Sequence, residues 1–296
     1  MRTEREPDEA ALEMRTAALP LVRLALAEDF GAAGDVTSNA IVPPTATAAA
    51  RLVARKAGVL AGLEVARLVF EQVNPDIVFE SHLSDGARLA PDQVVAVLSG
   101  PARGLLAGER TALNFIQRLC GIATQTAQYV EALRGTGVRV VDTRKTTPGY
   151  RRLEKAAVRA GGGGNHRIGL YDRILIKDNH EAVAGSVAEA IRRARLAWPT
   201  GIEIEVEVRT LAQLEEALAE RPDSLLLDNM APHVVAECAA RVARQSPRPR
   251  VEVSGGVTLE TIRQYAVPGV DEISVGALTH SAPALDLALD FEGIIP

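Results

Sequence analysis

The second half of the chain alternates short apolar strand patterns with helical patterns, and no other feature constrains the fold as strongly. The strand candidates are residues 138–142, 173–177, 202–208, 224–227, 250–253 and 272–275. The helical patterns between them are residues 153–159, 187–198, 211–219, 234–244 and 259–265. Short strands rich in Val, Ile and Leu, separated by helices, predict a parallel sheet with right-handed crossovers. Because no G-x-G-x-x-G motif follows a strand, a dinucleotide-binding unit is not indicated.

The first half of the chain lacks this alternation and predicts a smaller α+β domain. We expect helices at residues 19–27 and 63–73, strands at 48–56, 77–82 and 94–99, and a turn at 34–38. A longer helical pattern covers residues 109–133. We therefore divide the chain into an N-terminal extension or helix (1–20), an α/β sandwich domain (21–115) and a β/α barrel domain (116–284).

The composition is typical of a soluble globular protein, with 47% hydrophobic and 24% charged residues among 296. No apolar run approaches the about 20 residues that a membrane helix needs, and the charged N-terminus lacks the apolar core of a signal peptide. The two cysteines, Cys120 and Cys238, lie far apart without C-x-x-C spacing, which argues against a disulfide framework or a zinc site. We therefore expect a cytoplasmic protein that does not bind membranes.

Residues 141–180 form a cationic segment in an acidic chain. They contain nine Lys or Arg and four Asp or Glu, whereas the whole chain has a formal charge of −5. Because the local field governs ligand capture, this segment predicts a site for an anionic small molecule. Nucleic acid is a poorer match, since it usually needs a broad basic face.

Each strand candidate of the second half ends in polar residues or glycine. The carboxyl ends of the strands form the functional face of a parallel β/α barrel, so six such endings predict a shared site. The site candidates at these ends are Thr143, Arg144, Lys145, Lys177, Glu207, Asp228, Ser254, Gly255, Gly256 and Gly276.

The cationic candidates are suited to binding carboxylates. Arg144 and Arg167 offer planar guanidinium groups, and Lys177 offers a point charge. His166 adds a hydrogen-bond donor that can become charged near neutral pH. The four glycines at 161–164 predict a flexible loop that brings His166 and Arg167 to the site.

The acidic candidates leave more than one interpretation open. Glu207 and Asp228 end neighbouring strands and suit Mg²⁺ held largely through water and substrate phosphates. They could also stabilise positive charge at a sugar C1 centre, or be solvated acids at strand ends. Strand alternation places Glu203, Glu205 and Glu207 on one face, which predicts a polar column in the barrel interior.

The endings of the last two strands predict a phosphate site. Ser254, Gly255 and Gly256 follow one strand, and Gly276 follows the next. Barrels commonly bind phosphate at this place with backbone N–H groups and a helix N-terminus. Two ordinary turns between strand and helix remain the alternative.

Several long motifs resemble the quinolinate phosphoribosyltransferase family, whose members are also called nicotinate-nucleotide pyrophosphorylases (carboxylating). The motifs are ERT at 109–111, LNFIQRLCGIAT at 113–124, DTRKTTPGYRRLEKAAVRAGGGGNHRIGLYDRILIKDNH at 142–180, EVEV at 205–208, LLLDN at 225–229, SGG at 254–256 and VGALTHS at 275–281. The resemblance implies an enzyme of NAD biosynthesis. It would convert quinolinate and phosphoribosyl pyrophosphate to nicotinate mononucleotide, pyrophosphate and CO₂, with Mg²⁺.

The resemblance also implies an architecture and residue roles. The fold would be an N-terminal α/β sandwich, completed by residues 285–296, with an incomplete β/α barrel. The protein would be a homodimer or a hexamer of dimers, with Arg110 reaching the neighbouring site. The quinolinate carboxylates would be held by Arg110, Arg144, His166, Arg167 and Lys177. Lys145, Glu207 and Asp228 would face the pyrophosphate, ribose and Mg²⁺, and the 5′-phosphate would be bound by Ser254, Gly255, Gly256, Gly276 and His280.

Three other functions compete with this one. Lys177 at a strand end could form a Schiff base, as in barrel lyases. A related phosphoribosyltransferase-fold protein of molybdenum utilisation would share the fold, although the full set of quinolinate-binding motifs argues against it. A non-catalytic binder is disfavoured by the presence of Lys145, Glu207 and Asp228.

Overall fold

The computed structural model describes residues 9–198 and 200–295, which form two compact units. The first unit contains residues 9–127, 146–162 and 282–295 of the described chain, and the second contains Gln128–Lys145 and Gly163–Ser281. The first eight residues of the predicted N-terminal extension lie outside the described chain. Among the described residues, no helix has the length and apolar character that crossing a membrane requires.

The secondary structure follows the predicted alternation in the second half of the chain. The elements up to the longest helix are α1 (Glu9–Phe30), α2 (Val36–Ile41), β1 (Thr47–Ala54), β2 (Gly58–Val59), α3 (Leu63–Val73), β3 (Val78–Glu80), β4 (Arg88–Leu89), β5 (Val94–Pro101) and α4 (Ala102–Ala132). The remaining elements are β6 (Arg139–Val141), α5 (Arg151–Ala160), β7 (Ile174–Ile176), α6 (Asp178–Ala184), α7 (Val187–Ala197), β8 (Ile204–Val208), α8 (Leu211–Ala219), β9 (Ser224–Asp228), α9 (Pro232–Val242), β10 (Arg250–Ser254), α10 (Ile262–Tyr265), β11 (Glu272–Ser274), α11 (Ala277–His280) and β12 (Leu287–Ile295).

The first unit is built on an antiparallel four-stranded sheet in the order β12-β1-β5-β3. Strand β12 pairs with β1 from Leu287 opposite Ala54 to Ile295 opposite Thr47. The C-terminal segment therefore completes a sheet whose other strands all precede residue 102. A separate two-stranded ribbon joins β2 and β4.

Two helices of the first unit are longer than their sequence patterns predicted. Helix α1 extends well beyond residues 19–27, and its Arg15 forms salt bridges with Glu64 at 2.5 Å and Glu71 at 2.6 Å on α3. Helix α4 begins seven residues before the predicted start, immediately after Pro101. Its first turns contain Gly104 and Gly108, which weaken a helical pattern.

Close packing explains the glycines at the start of α4. A Cβ atom on Gly104 would lie 3.1 Å from Ile77 Cδ1, and one on Gly108 would lie 2.9 Å from Phe70 Cδ1. A larger residue would push these core side chains apart, because protein interiors have few voids. The tertiary contact thus overrides the local helix preference that the sequence pattern measures.

The second unit contains the parallel sheet that the strand–helix alternation predicted. Its order is β6-β11-β10-β9-β8-β7, and every neighbouring pair is parallel. Within the described residues β6 and β7 do not pair, so the sheet is an incomplete barrel. The turn predicted at 34–38 is partly helical, as α2, and the short helices α6 and α11 were not predicted.

The two faces of this sheet differ in chemistry. Val206, Leu225, Val251 and Ile273 are fully buried apolar residues. The residues that alternate with them are largely polar, and several of them line one pocket: Glu207, Leu226, Asp228, Glu252, Ser254 and Ser274. Because successive side chains in a strand point to opposite faces, the apolar face supports the helices and the polar face is free for chemistry.

Candidate active site

A pocket at the carboxyl ends of the parallel strands gathers most of the predicted site residues. Those lining it are Thr143, Arg144, Lys145, His166, Arg167, Lys177, Glu207, Asp228 and Ser254. They come from the ends of β6, β7, β8, β9 and β10 and from the loop before β7. The sequence missed Leu175, Leu226, Glu252 and Ser274, which also line the pocket.

The predicted phosphate-binding glycines do not line this pocket but adjoin it. Gly255 and Gly256 follow Ser254 with φ angles of +98° and +62°, a region that disfavours side chains. A Cβ atom on Gly255 would lie 2.4 Å from Asn229 Oδ1, whereas one on Gly256 would meet no atom within 4 Å. Gly255 is therefore needed for packing, and Gly256 leaves open space beside its backbone.

The other predicted phosphate residues are close to Lys145. A Cβ atom on Gly276 would lie 3.0 Å from Lys145 Cδ and 3.2 Å from His280 Nε2. Thr279 Oγ1, one residue before His280, donates a hydrogen bond of 2.7 Å to the Lys145 carbonyl. Helix α11 thus fixes the backbone of Lys145. Arg110 lies on α4 in the first unit and is exposed.

Asp142 anchors the loop that carries His166 into the pocket. It is fully buried, and its carboxylate accepts hydrogen bonds from Asn165 Nδ2 at 2.6 Å and from the His166 backbone N–H at 2.9 Å. Gly164 N–H also donates to the Val140 carbonyl at 2.8 Å. The glycine-rich loop is therefore tied to β6. The sequence feature that could have indicated this role of Asp142 is an acidic residue directly after an apolar strand.

His166, Glu205 and Glu252 form a buried group, which we call the His166 cluster. His166 Nε2 lies 2.9 Å from Glu205 Oε2 and 3.4 Å from Glu252 Oε2. Its Nδ1 accepts the Arg167 backbone N–H at 2.8 Å, which assigns the proton of the neutral ring to Nε2, facing Glu205. Both ring nitrogens thus already have partners within the protein.

The pKa values in the His166 cluster are set by burial and by neighbouring charges, and they shift in different directions. Burial and the neighbouring charge of Glu205 raise the pKa of Glu252. Burial also opposes ionisation of Glu205, but its hydrogen bond with His166 and the charges of His166 and Arg173 outweigh burial and lower its pKa. Burial likewise opposes charging of His166, yet the two carboxylates outweigh it and raise its pKa.

The His166 cluster has metal-ligand atoms within 4.8 Å of one another. However, Arg173 NH1 lies 3.4 Å from both His166 Nε2 and Glu205 Oε2. A guanidinium therefore already supplies positive charge to these atoms, and burial holds the pKa of the Glu252 carboxyl above its usual value. The cluster is therefore already partly neutralised within the protein, although both carboxylate oxygens of Glu252 have no hydrogen-bond partner among the described residues.

Cations are crowded above the His166 cluster. Arg167 is buried, and its NH1 donates to the Arg173 carbonyl at 3.0 Å. Burial, followed by repulsion from Arg144, lowers the pKa of Arg167. Because an incoming anion would relieve this repulsion, the corner formed by Arg144 and Arg167 suits a carboxylate ligand.

A second group of charges, the Arg209 cluster, consists of Asp178, Glu207, Asp228 and Arg209. The Arg209 guanidinium contacts Glu207 Oε1 at 2.8 Å, Asp178 Oδ2 at 2.9 Å and Asp228 Oδ2 at 3.1 Å. Lys177 Nζ also lies 3.9 Å from Glu207 Oε2. Burial, followed by repulsion from Asp228, raises the pKa of Glu207.

The predicted column of Glu203, Glu205 and Glu207 is only partly continuous. Glu205 and Glu207 lie on the polar face, at different depths. Glu203 precedes β8 and forms salt bridges with Arg250 at 2.8 Å and Arg173 at 3.2 Å. Nearly half of its side chain is exposed, because the strand begins only at Ile204.

Comparisons with known proteins agree with this architecture. Residues 35–120 match the model of the quinolinate phosphoribosyl transferase N-terminal domain, and residues 122–290 match that of the C-terminal domain. A solved structure described as NadC from Streptococcus pyogenes is 42% identical, with a TM-score of 0.89 over 95% of this chain and 97% of that chain.

Curated relatives cover nearly the whole chain. The nicotinate-nucleotide pyrophosphorylase [carboxylating] of Mycobacterium leprae is 45% identical over 93% of this chain and 97% of its own length. The probable nicotinate-nucleotide pyrophosphorylase [carboxylating] of Bacillus subtilis is also 45% identical, over 89% of each chain. With family models matching both parts of the chain and relatives of this similarity, the protein belongs to the quinolinate phosphoribosyl transferase family.

Proposed function

We propose that the chain transfers the phosphoribosyl group of phosphoribosyl pyrophosphate to quinolinate, with decarboxylation. The products are nicotinate mononucleotide, pyrophosphate and CO₂, which places the enzyme in de novo NAD biosynthesis. The observation that carries this proposal is a single pocket at the ends of the parallel strands. In it the cations Arg144, Arg167 and Lys177 converge with the acids Glu207 and Asp228, and the chain belongs to the matching family. Cations suit the dianionic quinolinate, and carboxylates suit the metal-bearing pyrophosphate end of the second substrate.

The quinolinate carboxylates would lie against Arg144, Arg167 and Lys177. His166 would support this corner, since its ring is held between Glu205 and the Arg167 backbone. Several fixed cations in one pocket bind two carboxylates in a defined orientation. Binding of this kind aims the pyridine nitrogen at the ribose, and such positioning accounts for much of the catalysis in two-substrate reactions.

The chemistry needs no protein nucleophile. The pyridine nitrogen attacks C1 of the ribose as the bond from C1 to pyrophosphate breaks, through an oxocarbenium-like state. The quaternised ring nitrogen then stabilises the electron pair left at C2 when CO₂ departs, and a proton from solvent completes the ring. Glu207 and Asp228 can stabilise the positive charge that develops on the ribose, and Lys145 can balance the leaving pyrophosphate.

Glu207 and Asp228 fit a role in holding Mg²⁺ indirectly. Their side chains are 8% and 13% exposed and belong to the neighbouring strands β8 and β9. Two carboxylates provide too few oxygen ligands for an octahedral ion, so water and substrate phosphates would complete the shell. When bound, Mg²⁺ would neutralise charge on the leaving pyrophosphate.

The 5′-phosphate would bind at the backbone of residues 254–256, with Gly276 and His280 beside it. Gly256 leaves open space next to its backbone, and positive φ angles at both glycines turn the chain sharply after β10. Backbone N–H groups in such turns are ready donors to an anion. Ser254, which lines the pocket, connects this turn to the site.

We propose further that the enzyme is a homodimer, or a hexamer of dimers, and that Arg110 enters the site of the neighbouring subunit. Arg110 is exposed on α4, as a residue that serves another subunit should be. Mixing inactive Arg110→Ala and Lys177→Ala proteins should restore partial activity, and a mixture that stays inactive would contradict a shared site. Both cysteines are free thiols, which supports a reducing cytoplasm as its location.

A Schiff-base lyase is less compatible with the pocket. Lys177 is paired with Glu207 at 3.9 Å, and a charged ammonium is not a nucleophile. Borohydride trapping with carbonyl substrates tests this directly, because an adduct at Lys177 would support the lyase. The full set of cations for quinolinate argues against a molybdenum-related protein, and the presence of Lys145, Glu207 and Asp228 in the pocket argues against a non-catalytic binder.

The decisive experiment is a product assay with purified protein. Quinolinate labelled at the 2-carboxylate, phosphoribosyl pyrophosphate and Mg²⁺ should yield CO₂, pyrophosphate and nicotinate mononucleotide in equal amounts. Reactions without phosphoribosyl pyrophosphate should release no label. Absence of both CO₂ and pyrophosphate from the complete reaction would refute the proposed function.

A further inference from the structure

Arg209 holds a position that the reaction alone does not explain. It directly follows β8, and its guanidinium contacts three carboxylates that follow or end three strands: Asp178 after β7, Glu207 on β8 and Asp228 on β9. The contacts with Glu207 and Asp178, at 2.8 and 2.9 Å, have the length of charge-assisted hydrogen bonds, and the contact with Asp228, at 3.1 Å, has an ordinary N–H···O length. One side chain therefore bridges the ends of three neighbouring strands.

The backbone of Arg209 is fixed where its side chain leaves it. The Arg209 N–H donates to Gln213 Oε1 at 2.9 Å, and Thr210 Oγ1 accepts the Gln213 N–H at 3.2 Å as the cap of α8. Gln213 Nε2 in turn donates to Glu181 Oε2 at 2.9 Å. The backbone of Arg209 is thus held beside the acids, while its side chain, which is 48% exposed, can be displaced.

Arg209 contacts one oxygen of each acid that the proposed function assigns to the divalent cation. Its NH2 lies on Glu207 Oε1 and its Nε on Asp228 Oδ2. Mg²⁺ binds oxygen at about 2.0–2.1 Å, so an ion on either carboxylate would lie close to the positively charged guanidinium, and repulsion between the two cations opposes its binding. With Lys177 also beside Glu207, two cations already balance most of the charge of the three carboxylates.

We propose that Arg209 is a tethered counter-ion that blocks the acidic pair against metal until substrate arrives. Free enzyme would then bind divalent cations weakly, and the metal would enter already bound to phosphoribosyl pyrophosphate. This inference rests on the proposed function, which assigns Glu207 and Asp228 to the pyrophosphate end of the pocket. It makes Arg209 a positioning residue that sets the order in which metal and substrate bind.

Mn²⁺ binding to the substrate-free, full-length protein tests the inference. Free Mn²⁺ is followed by electron paramagnetic resonance during titration of wild type, Arg209→Met and Arg209→Gln. Both variants should bind Mn²⁺ at least about tenfold more tightly than wild type, a difference of about 1.4 kcal/mol. Circular dichroism melts establish that each variant is folded. Because the Arg209 side chain is about half exposed, both neutral replacements should be tolerated by the fold.

Arg241→Met is the matched control. Arg241 also bridges two carboxylates, Glu215 and Glu237, each at 2.6 Å, but they lie on helices α8 and α9. Its removal should leave Mn²⁺ binding at the wild-type level. Adding Asp228→Asn to Arg209→Met should abolish the gain, because the freed carboxylate is then lost.

Two outcomes would overturn the inference. One is Mn²⁺ binding by both Arg209 variants that is no tighter than in wild type, and the other is an equal gain in Arg241→Met. The product assay with quinolinate and phosphoribosyl pyrophosphate tests the proposed function separately. Turnover without a gain in Mn²⁺ affinity would count against the role of Arg209 alone, whereas a gain without turnover would count against the proposed function alone.

Discussion

Glu205 and Glu207 lie two residues apart on the same face of β8, yet they belong to different electrostatic environments. Glu205 has no exposed surface and is bonded to His166 at 2.9 Å in the His166 cluster. Glu207 lies nearer the end of the strand, and its partner is the half-exposed guanidinium of Arg209. The pKa of Glu205 is lowered and that of Glu207 is raised.

The difference shows how depth in the barrel divides structural from chemical roles. Glu205 of the His166 cluster has His166 and Arg173 as partners within the protein, so its removal leaves buried charge without compensation. Acids of the Arg209 cluster have a cation that solvent or substrate can displace. We therefore expect mutations in the first cluster to change the stability of the fold, and mutations in the second to change activity or metal binding.

The largest effect should come from Glu205→Ala. Removing one partner of a buried charge pair costs about 3–5 kcal/mol, and here it leaves His166 and Arg173 facing an empty site. Urea unfolding measures the loss in free energy. Glu203→Ala is the matched control, because Glu203 also pairs with Arg173 but is nearly half exposed, and its loss should cost less than about 1 kcal/mol. Equal losses for the two variants would contradict the role assigned to depth.

Asp228→Asn should show the opposite behaviour. This isosteric change removes a charge that faces the reacting ribose and pyrophosphate, and we expect kcat/KM to fall about 10²–10³-fold, as for other lost electrostatic contacts. The urea midpoint should barely move. Glu237→Gln, on the surface of α9 beside Arg241, should leave both properties unchanged. Full activity of Asp228→Asn would remove Asp228 from the proposed chemistry.

A third effect depends on pH and distinguishes the two acids of the His166 cluster. The pKa of Glu252 rises from 4.5 to about 7 in the fold, so the native state binds more protons than the unfolded state between these values. Stability due to Glu252 therefore falls as pH rises through this interval. The side chain introduced by Glu252→Gln cannot ionise. The free energy of unfolding of this variant should therefore rise relative to that of wild type, by as much as about 3 kcal/mol, as pH increases from 4.5 to 8.

Urea unfolding of wild type and Glu252→Gln at several pH values measures this gain. Glu205 should contribute with the opposite sign, because its pKa is lowered in the fold. Its stabilisation is present above the unfolded pKa and disappears as pH falls through the folded one. A difference between wild type and Glu252→Gln that does not change with pH would contradict the raised pKa.

The sequence predicted the positions of these acids better than their partners. All six parallel strands were predicted, and helix α8 has the predicted bounds of Leu211–Ala219. Alternation along β8 placed Glu205 and Glu207 on one face, because the strand period is two. It carries no information on depth, which depends on neighbours such as Glu252 on β10 that are distant in sequence.

Loop side chains and close contacts were beyond the reach of the sequence patterns. The sequence left the role of Arg209 unassigned, since a single residue after a strand can point in many directions. The contacts of Arg209 depend on the hydrogen bond that its own backbone N–H donates to Gln213 Oε1. The early start of α4 likewise reflects contacts of Gly104 and Gly108 with Ile77 and Phe70, which no local pattern encodes.

The last and smallest of these expected changes is the loss of stability in Arg209→Met, the variant that most sharply separates the two clusters. Arg209 pairs with three carboxylates, but its guanidinium is half exposed, and the ion pairing of such a solvent-screened side chain typically contributes about 0–1 kcal/mol. Losing the cation also leaves Glu207 and Asp228 to repel each other, yet water and metal ions can reach them. The free energy of unfolding in urea should therefore fall by less than about 1 kcal/mol, while substrate-free Mn²⁺ binding becomes tighter. A stability loss as large as that of Glu205→Ala would mean that Arg209 supports the fold in the same way, and that depth does not separate the two clusters.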